Sequence, residues 1–173
     1  MSETEIASAG KRRSMGSHQS AAMISDVWLT PPHILDVLGT FDLDPCAAPE
    51  PRPWPTAETH IALPEDGLAA EWFGRVWLNP PYSSEAVKWL RKMAAHNRGI
   101  ALVFARTETR WFAETVWRAA TAVLFIEDRL YFHHPNGDRA GANSGAPSCL
   151  VSYGHTDRRI LAMSGIKGAF VPL

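Results

Sequence analysis

The run Ile100–Ala105 (IALVFA) carries no polar side chain. A short, unbroken apolar stretch of this kind suits a strand covered on both faces, because a strand with one wet face would alternate. Covering both faces of a sheet takes helices, and helical patterns flank the run. After Ser83, read as a cap, Val87, Leu90, Met93 and Ala94 recur at helical spacing, and a second helix is expected over Arg110–Ala120. Further strands are expected at Phe41–Asp44, Arg75–Asn79, Ala122–Ile126, Arg129–Phe132 and Ser148–Tyr153. Thr30-Pro31-Pro32 reads as the capped start of a short helix, with Thr30 as the cap and Gly39 as the stop. Ala47–Thr59, interrupted by four prolines, and the polar, glycine-rich His133–Pro147 read as loops. Strands alternating with helices predict an α/β fold with a largely parallel sheet and helices on both faces. In such sheets ligands sit beyond the carboxyl ends of the strands. The polar clusters Asp44-Pro45, Asn79–Tyr82 and Arg106–Arg110 each follow a strand, so they are expected to converge on one crevice.

At 173 residues, with 46% hydrophobic and 20% charged side chains, the chain can bury an ordinary core without metals or disulfides. Residues 1–24, rich in Ser, Ala, Lys and Arg, are expected to form a flexible tail, with Lys11, Arg12 and Arg13 as a weak phosphate-binding arm. Residues 25–173 are expected to form a single domain. No stretch has the length of a membrane span, and the N-terminal residues lack the apolar centre of a signal peptide. Cys46 and Cys149 match no metal-ligand spacing, which points to a reducing cytoplasm. His133, His134 and Asp138 lie in a polar loop and are read as solvated rather than metal-binding. Net charge is −1, but unevenly spread. Asp36–Glu71 is acidic, with Arg52 its one strong base, and Lys88–Arg118 is basic, opposed by Glu108 and Glu114. Such a split suits a protein that holds a cationic or hydroxyl-rich ligand on one side and phosphates on the other, or two solvated faces.

Asn79-Pro80-Pro81-Tyr82 closes the expected strand Arg75–Asn79. An exocyclic base amine is a poor nucleophile because its lone pair is delocalised into the ring. A side-chain amide oxygen and a main-chain carbonyl at fixed angles, from Asn79 and Pro80, can accept both amine hydrogens and favour a tetrahedral nitrogen. The two prolines stiffen the turn and remove competing donors. Tyr82 offers a flat face to a base that has left its duplex. This is catalysis by position and electrostatics. Asp44, a carboxylate at a strand end beside a loop, suits a ligand-binding acid, whereas Asp66 in Glu65-Asp66-Gly67 is also a natural turn residue.

Taken in order, these pieces resemble the Dam-like DNA N6-adenine methyltransferases, especially the small ones encoded by phages and prophages. The resemblance spans Asp26–Tyr153. It implies a Rossmann-like S-adenosylmethionine-dependent methyltransferase fold, S-adenosyl-L-methionine as cofactor and double-stranded DNA as partner. It further implies no metal, no membrane association and a cytoplasmic setting, that of a bacterial host if the chain is phage-encoded, with protection of phage DNA from restriction as one role. Trp28-Leu29-Thr30-Pro31-Pro32 looks like the element lining the methionine end of the cofactor, so Trp28, Thr30 and Pro31 become cofactor-binding candidates. Phe41–Ala47 is similar to the cofactor-binding strand and loop, through Asp44, Pro45, Cys46 and Ala47. Glu65–Leu68 resembles the element whose carboxylate, here Asp66, contacts the cofactor's adenine amine. Trp77–Ser83 is the catalytic signature, with Asn79, Pro80, Pro81 and Tyr82 catalytic. Ser83, Arg106, Arg110, Arg129 and Arg139 are the candidates for DNA contact.

The chain also departs from the pattern. Ala47 and Ala48 stand where a glycine-rich loop often occurs, and the proline-rich stretch leaves the ribose-binding acid unassigned, with Glu58 one candidate. No separate recognition domain is visible. Pro45-Cys46 invites a nucleophilic-cysteine reading, but the downstream motifs for it are absent, and Cys46 is read as a small apolar residue. Trp28 and Trp77 are read as pocket-lining, and Trp72, Trp89 and Trp117 as core. Other planar amines remain as alternatives: cytosine N4, RNA adenine or a protein glutamine. Asn rather than Ser at position 79 favours adenine. A non-catalytic DNA-binding relic of the fold is the alternative from another class.

Overall fold

The computed structural model describes residues 27–173, so the expected tail at 1–24, with Lys11, Arg12 and Arg13, lies outside the described residues. In chain order the elements are α1 (Pro32–Asp36), β1 (Leu43–Asp44), β2 (Thr59–His60), β3 (Val76–Leu78), α2 (Ala86–His96), β4 (Gly99–Phe104) and α3 (Arg110–Phe112). A π-helical turn (Ala113–Trp117), β5 (Ala122–Ile126), β6 (Ser148–Tyr153), α4 (His155–Met163) and β7 (Gly168–Pro172) follow. The strands form one sheet of seven in the order β2-β1-β3-β4-β6-β5-β7.

The alternation of side chains along the strands divides the core in two. Val76 and Leu78, Ala101 and Val103, Val123, and Cys149, Val151 and Tyr153 face one way. They pack against Trp89, Leu90 and Met93 of α2 and against Phe112 and Val116. Trp77, Ile100 and Leu102, Leu124 and Leu150 face the other way, against Ile34 and Leu35 of α1 and Leu161 of α4. Helices therefore cover both faces, as a strand as apolar as β4 requires.

The expectation of a largely parallel sheet needs correction. β1 pairs in parallel with β2 and β3, and β3 with β4, but through few residues. Most paired residues lie in the antiparallel ladders β4–β6, β5–β6 and β5–β7. The cause is the insertion of β6, reversed, between β4 and β5. It leaves β1 to β5 pointing one way while only β6 and β7 oppose them.

Other boundaries shift for local reasons. Arg129–Phe132 forms no strand, although Leu130 and Phe132 are buried as the alternation suggests. Both edges of β5 are already taken, and nearby only His133 makes isolated bridges, to Leu29 and Arg139. The cap of α1 is Pro31 rather than Thr30, and α2 begins after Glu85, so Ser83 does not cap it; its Oγ accepts from the Glu85 N–H at 3.2 Å. The helix expected over Arg110–Ala120 widens into the π-helical turn and stops at Trp117. There the buried Tyr153 hydroxyl donates to the Thr115 carbonyl at 2.8 Å. Trp72 and Trp89 are core, but Trp117 is 38% exposed.

At the amino edge of β1–β5, Arg75 is buried. Its Nε donates to Asp157 of α4 at 2.6 Å, and its Nη1 donates to the carbonyls of Leu38 and Thr40. The guanidinium also lies over Phe41, 4.1 Å from the ring centre. One side chain thus ties β3, α4 and the α1–β1 connection together.

Candidate active site

From β1 the chain steps outward to β2, then returns to place β3 on the other side of β1 and continues outward to β4. The boundary between β1 and β3 is therefore the topological switch point, the place beyond the carboxyl ends where open α/β sheets bind ligands. Asp44 ends β1 and Asn79 follows β3, so the two polar residues singled out by sequence flank that point. Arg106 follows β4, the next strand along.

Asp44 is 3% exposed. Its Oδ1 accepts from the Cys46 N–H at 3.0 Å and its Oδ2 from the Thr56 hydroxyl at 2.5 Å. These bonds fold Pro45-Cys46-Ala47 back and fasten it to the proline-rich loop, which Arg52 pins through the Ala48 carbonyl at 2.6 Å. Burial pushes the Asp44 carboxyl up to about 6, against the hydrogen bonds from Thr56 and Cys46 and the charge of Arg52. A carboxyl raised from its ordinary 3.8 favours the fold when protonated, so its contribution to stability is lost as pH rises from about 4 through about 6. At pH 7 the buried charge costs on the order of 3 kcal/mol. Asp44→Asn is accordingly expected to raise the melting temperature at pH 7 and to give no gain below pH 4, as read by thermal melts at both values. Cys46, pushed up to about 12 by burial and then by Asp44, remains a thiol, which fits its reading as a small apolar residue.

Asp66 is exposed, and its Oδ1 accepts from the Leu68 N–H at 2.9 Å, a turn-forming bond. The next residue explains how this turn reaches the Asp44 loop. A Cβ on Gly67 would stand 1.8 Å from the Pro45 carbonyl oxygen and 3.0 Å from the Trp89 ring. Only glycine lets the Asp66 turn lie against the Asp44 loop, and the Gly67 carbonyl is held by Trp72 Nε1 at 2.8 Å. Gly67→Ala is expected to destabilise the fold by roughly 1–3 kcal/mol or more. Denaturant melts would show it as an earlier midpoint with an unchanged slope.

The Asn79 amide is held at both ends. Its Nδ2 donates to the Trp28 carbonyl at 3.3 Å, and its Oδ1 accepts from the Tyr82 hydroxyl at 3.1 Å. An amide oxygen has two lone pairs, so Oδ1 keeps one for a further donor. Among the described residues the Pro80 carbonyl accepts no hydrogen bond. Tyr82 stacks on Phe104 at 4.0 Å with its plane tilted by 14°, and it meets Phe132 edge-on at 6.1 Å. One ring face is thus already covered. Burial raises the Tyr82 hydroxyl far above its ordinary value, which keeps it a donor at neutral pH.

The Trp28–Pro31 segment lies against this turn. Leu29 exchanges backbone hydrogen bonds with His133, and Trp54 Nε1 donates to the Thr30 carbonyl at 3.2 Å. Trp28 Nε1 and Thr30 Oγ1 are buried polar atoms with no partner among the described residues. Of the cofactor candidates, Trp28 bonds directly to the Asn79 turn, with Thr30 and Pro31 next to it in the chain, whereas Asp44, Pro45, Cys46 and Ala47 form a separate loop against which the Asp66 turn packs through Gly67.

Other candidates disperse. Ser83 is exposed just past the turn, while Arg106 and Arg110 are half-buried and exposed after β4. Arg129 and Arg139 line a separate cleft that does not include Asn79. Glu58 precedes β2, at the amino edge, and the carboxyl end of β2 carries His60 instead. Its Nε2 accepts the Thr56 and Ala57 N–H groups. Trp77, read as pocket-lining, is fully buried. Three of the seven basic residues of Lys88–Arg118 are engaged within the fold. Lys88 pairs with Glu85, Arg91 with Glu114, and Lys92 donates to the Leu68 and Ala70 carbonyls. Among the described residues no cluster of three or more His, Cys, Asp or Glu could hold a metal, and no helix is long and apolar enough to cross a membrane. Phe104, Trp54, Thr56 and Gly67 were not singled out by sequence for the site; of these only Gly67, beside Asp66, sat in a motif that could have pointed to it.

The model of one protein family, described as DNA N-6-adenine-methyltransferase (Dam), matches residues 17–164. No curated protein and no solved structure matches the chain.

Proposed function

The chain belongs to the DNA N-6-adenine-methyltransferase (Dam) family, and on that premise we propose that it transfers a methyl group from S-adenosylmethionine to N6 of an adenine flipped out of double-stranded DNA. Residues 25–173 serve as the single catalytic domain in this reading. The observation that carries it is the Asn79 amide, oriented by Trp28 and Tyr82 beside a Pro80 carbonyl that accepts no hydrogen bond among the described residues.

The residues present fit the cofactor. Trp28 Nε1 and Thr30 Oγ1, buried donors with no partner among the described residues, lie in the segment expected at its methionine end, and a buried polar atom without a partner is rare unless a ligand or water supplies one. Asp44, Pro45, Cys46 and Ala47 would hold its middle and Asp66 its adenine. When bound, the cofactor supplies an electrophilic methyl group on a sulfonium.

The remaining work falls to the turn. Asn79 Oδ1 and the Pro80 carbonyl accept the two hydrogens of the adenine amine, which localises the nitrogen lone pair for attack. Tyr82, fixed by Phe104 and by its bond to Asn79, keeps Oδ1 aimed and presents its uncovered side to the base. No side chain of the turn forms a covalent bond, and the proton leaves to solvent after transfer.

Calorimetric titration with S-adenosylmethionine tests the cofactor half of this reading. Wild type is expected to bind with a dissociation constant in the range of roughly 1 μM to 1 mM, and Asp44→Asn more weakly, despite its greater stability at pH 7. A wild-type chain that does not bind would instead be a relic of the fold.

A further inference from the structure

A second cleft opens on the same edge of the sheet as the catalytic turn, with a volume of about 580 Å³. It is bounded by α1, by the chain following β5 and by the α4–β7 connection, so it lies at the carboxyl end of β5. The volume falls within the range of ligand-binding clefts. Arg129, Arg139 and Lys167 surround it, against one carboxylate among the described residues, Glu127. The ion pairs found among the described residues use Arg52, Arg75, Lys88 and Arg91, so the three cleft cations form none among them. Arg139 is also set in place, stacked over Tyr131 at 3.8 Å from the ring centre.

The cleft is joined to the catalytic region. Pro31 lines it directly, and His133, another lining residue, pairs with Leu29 through the backbone and meets the Trp54 ring edge-on at 5.1 Å. A polyanion laid across this edge would reach both places at once. We infer that this cleft docks the sugar-phosphate backbone of the DNA flanking the target base, with Arg129, Arg139 and Lys167 on its phosphates. The inference rests on the proposed DNA substrate and assigns it a surface. The cations of Lys88–Arg118 that are internally paired do not serve in this role.

The test is fluorescence anisotropy of the full chain with a labelled unmethylated duplex across sodium chloride concentrations. Wild type is compared with Arg129→Glu/Lys167→Glu, the milder Arg129→Gln/Lys167→Gln, and Arg98→Glu at the opposite edge of the sheet. Both double variants are expected to bind about tenfold more weakly or worse and to lower the salt slope by about two, one for each lost phosphate contact. Arg98→Glu is expected to keep the wild-type slope. Double variants that bind within twofold of wild type, or an Arg98→Glu effect as large as theirs, would overturn the assignment. Methylation by the wild type, measured alongside, separates the two ideas. A product without a cleft effect removes the cleft alone, and a cleft effect without N6-methyladenine removes the adenine reading alone.

Discussion

Asn79→Ala is expected to lower the rate of methyl transfer by roughly 100- to 1,000-fold, the scale for losing one preorganised hydrogen-bonding group at a reacting atom. The side chain is half-buried and its bonds run to the Trp28 carbonyl and the Tyr82 hydroxyl, neither of which carries the core. Folding and cofactor affinity should therefore remain close to wild type, which thermal melts and calorimetry would verify. Tyr82→Phe separates orientation from acceptance. It keeps the ring on Phe104 but removes the donor that aims Oδ1, so a much smaller loss is expected, confined to kcat. Single-turnover kinetics at saturating DNA would read both. Near-normal transfer by Asn79→Ala would remove the amide from the mechanism.

The second large effect concerns the fold. Asp157→Ala leaves the Arg75 guanidinium buried without its carboxylate, and Arg75→Met leaves the reverse, together with unbonded Leu38 and Thr40 carbonyls. Arg75 is 8% exposed and Asp157 1%, so water cannot readily replace either partner. Each single change is expected to cost about 3–5 kcal/mol. At about 2–4 °C per kcal/mol, that is a melting temperature lower by roughly 6–20 °C. Arg75→Met combined with Asp157→Ala removes both charges and should be less damaging than the sum of the two single losses. Strict additivity in differential scanning calorimetry would show that the pair is not coupled.

Arg75 and Asp157 also mark where sequence reading stops. They lie 82 residues apart, and nothing in either neighbourhood signals the other. An acid near the start of α4 looks solvated, and the helix was not anticipated. β4 and β5 were legible because unbroken apolar runs bounded by polar residues have few other solutions, β6 because Cys149-Leu150-Val151 leads into Tyr153, and Ala122–Ile126 and Ser148–Tyr153 match the expected ends. Strand direction was not legible. The reversal of β6 depends on the long connection Glu127–Pro147, whose path local pattern does not encode. The same holds for Arg129–Phe132, which alternates like a strand but finds no free edge.

At the site, sequence located the strand-end groups because their chemistry is local: a carboxylate after β1, an amide and two prolines after β3. It did not show what holds them. Thr56 on Asp44, Phe104 beneath Tyr82 and Pro45 against Gly67 are contacts between segments brought together only by the sheet order. The pairing of Arg91 is a related case, since a one-dimensional charge count cannot see Glu114 facing it.

The most direct measurement is incubation of the full chain with unmethylated duplex DNA and labelled S-adenosylmethionine, followed by digestion to nucleosides and mass spectrometry. Label in N6-methyldeoxyadenosine is the expected result and would establish reaction and base together. Label in N4-methylcytosine, or none in the DNA while the cofactor still binds, would contradict it.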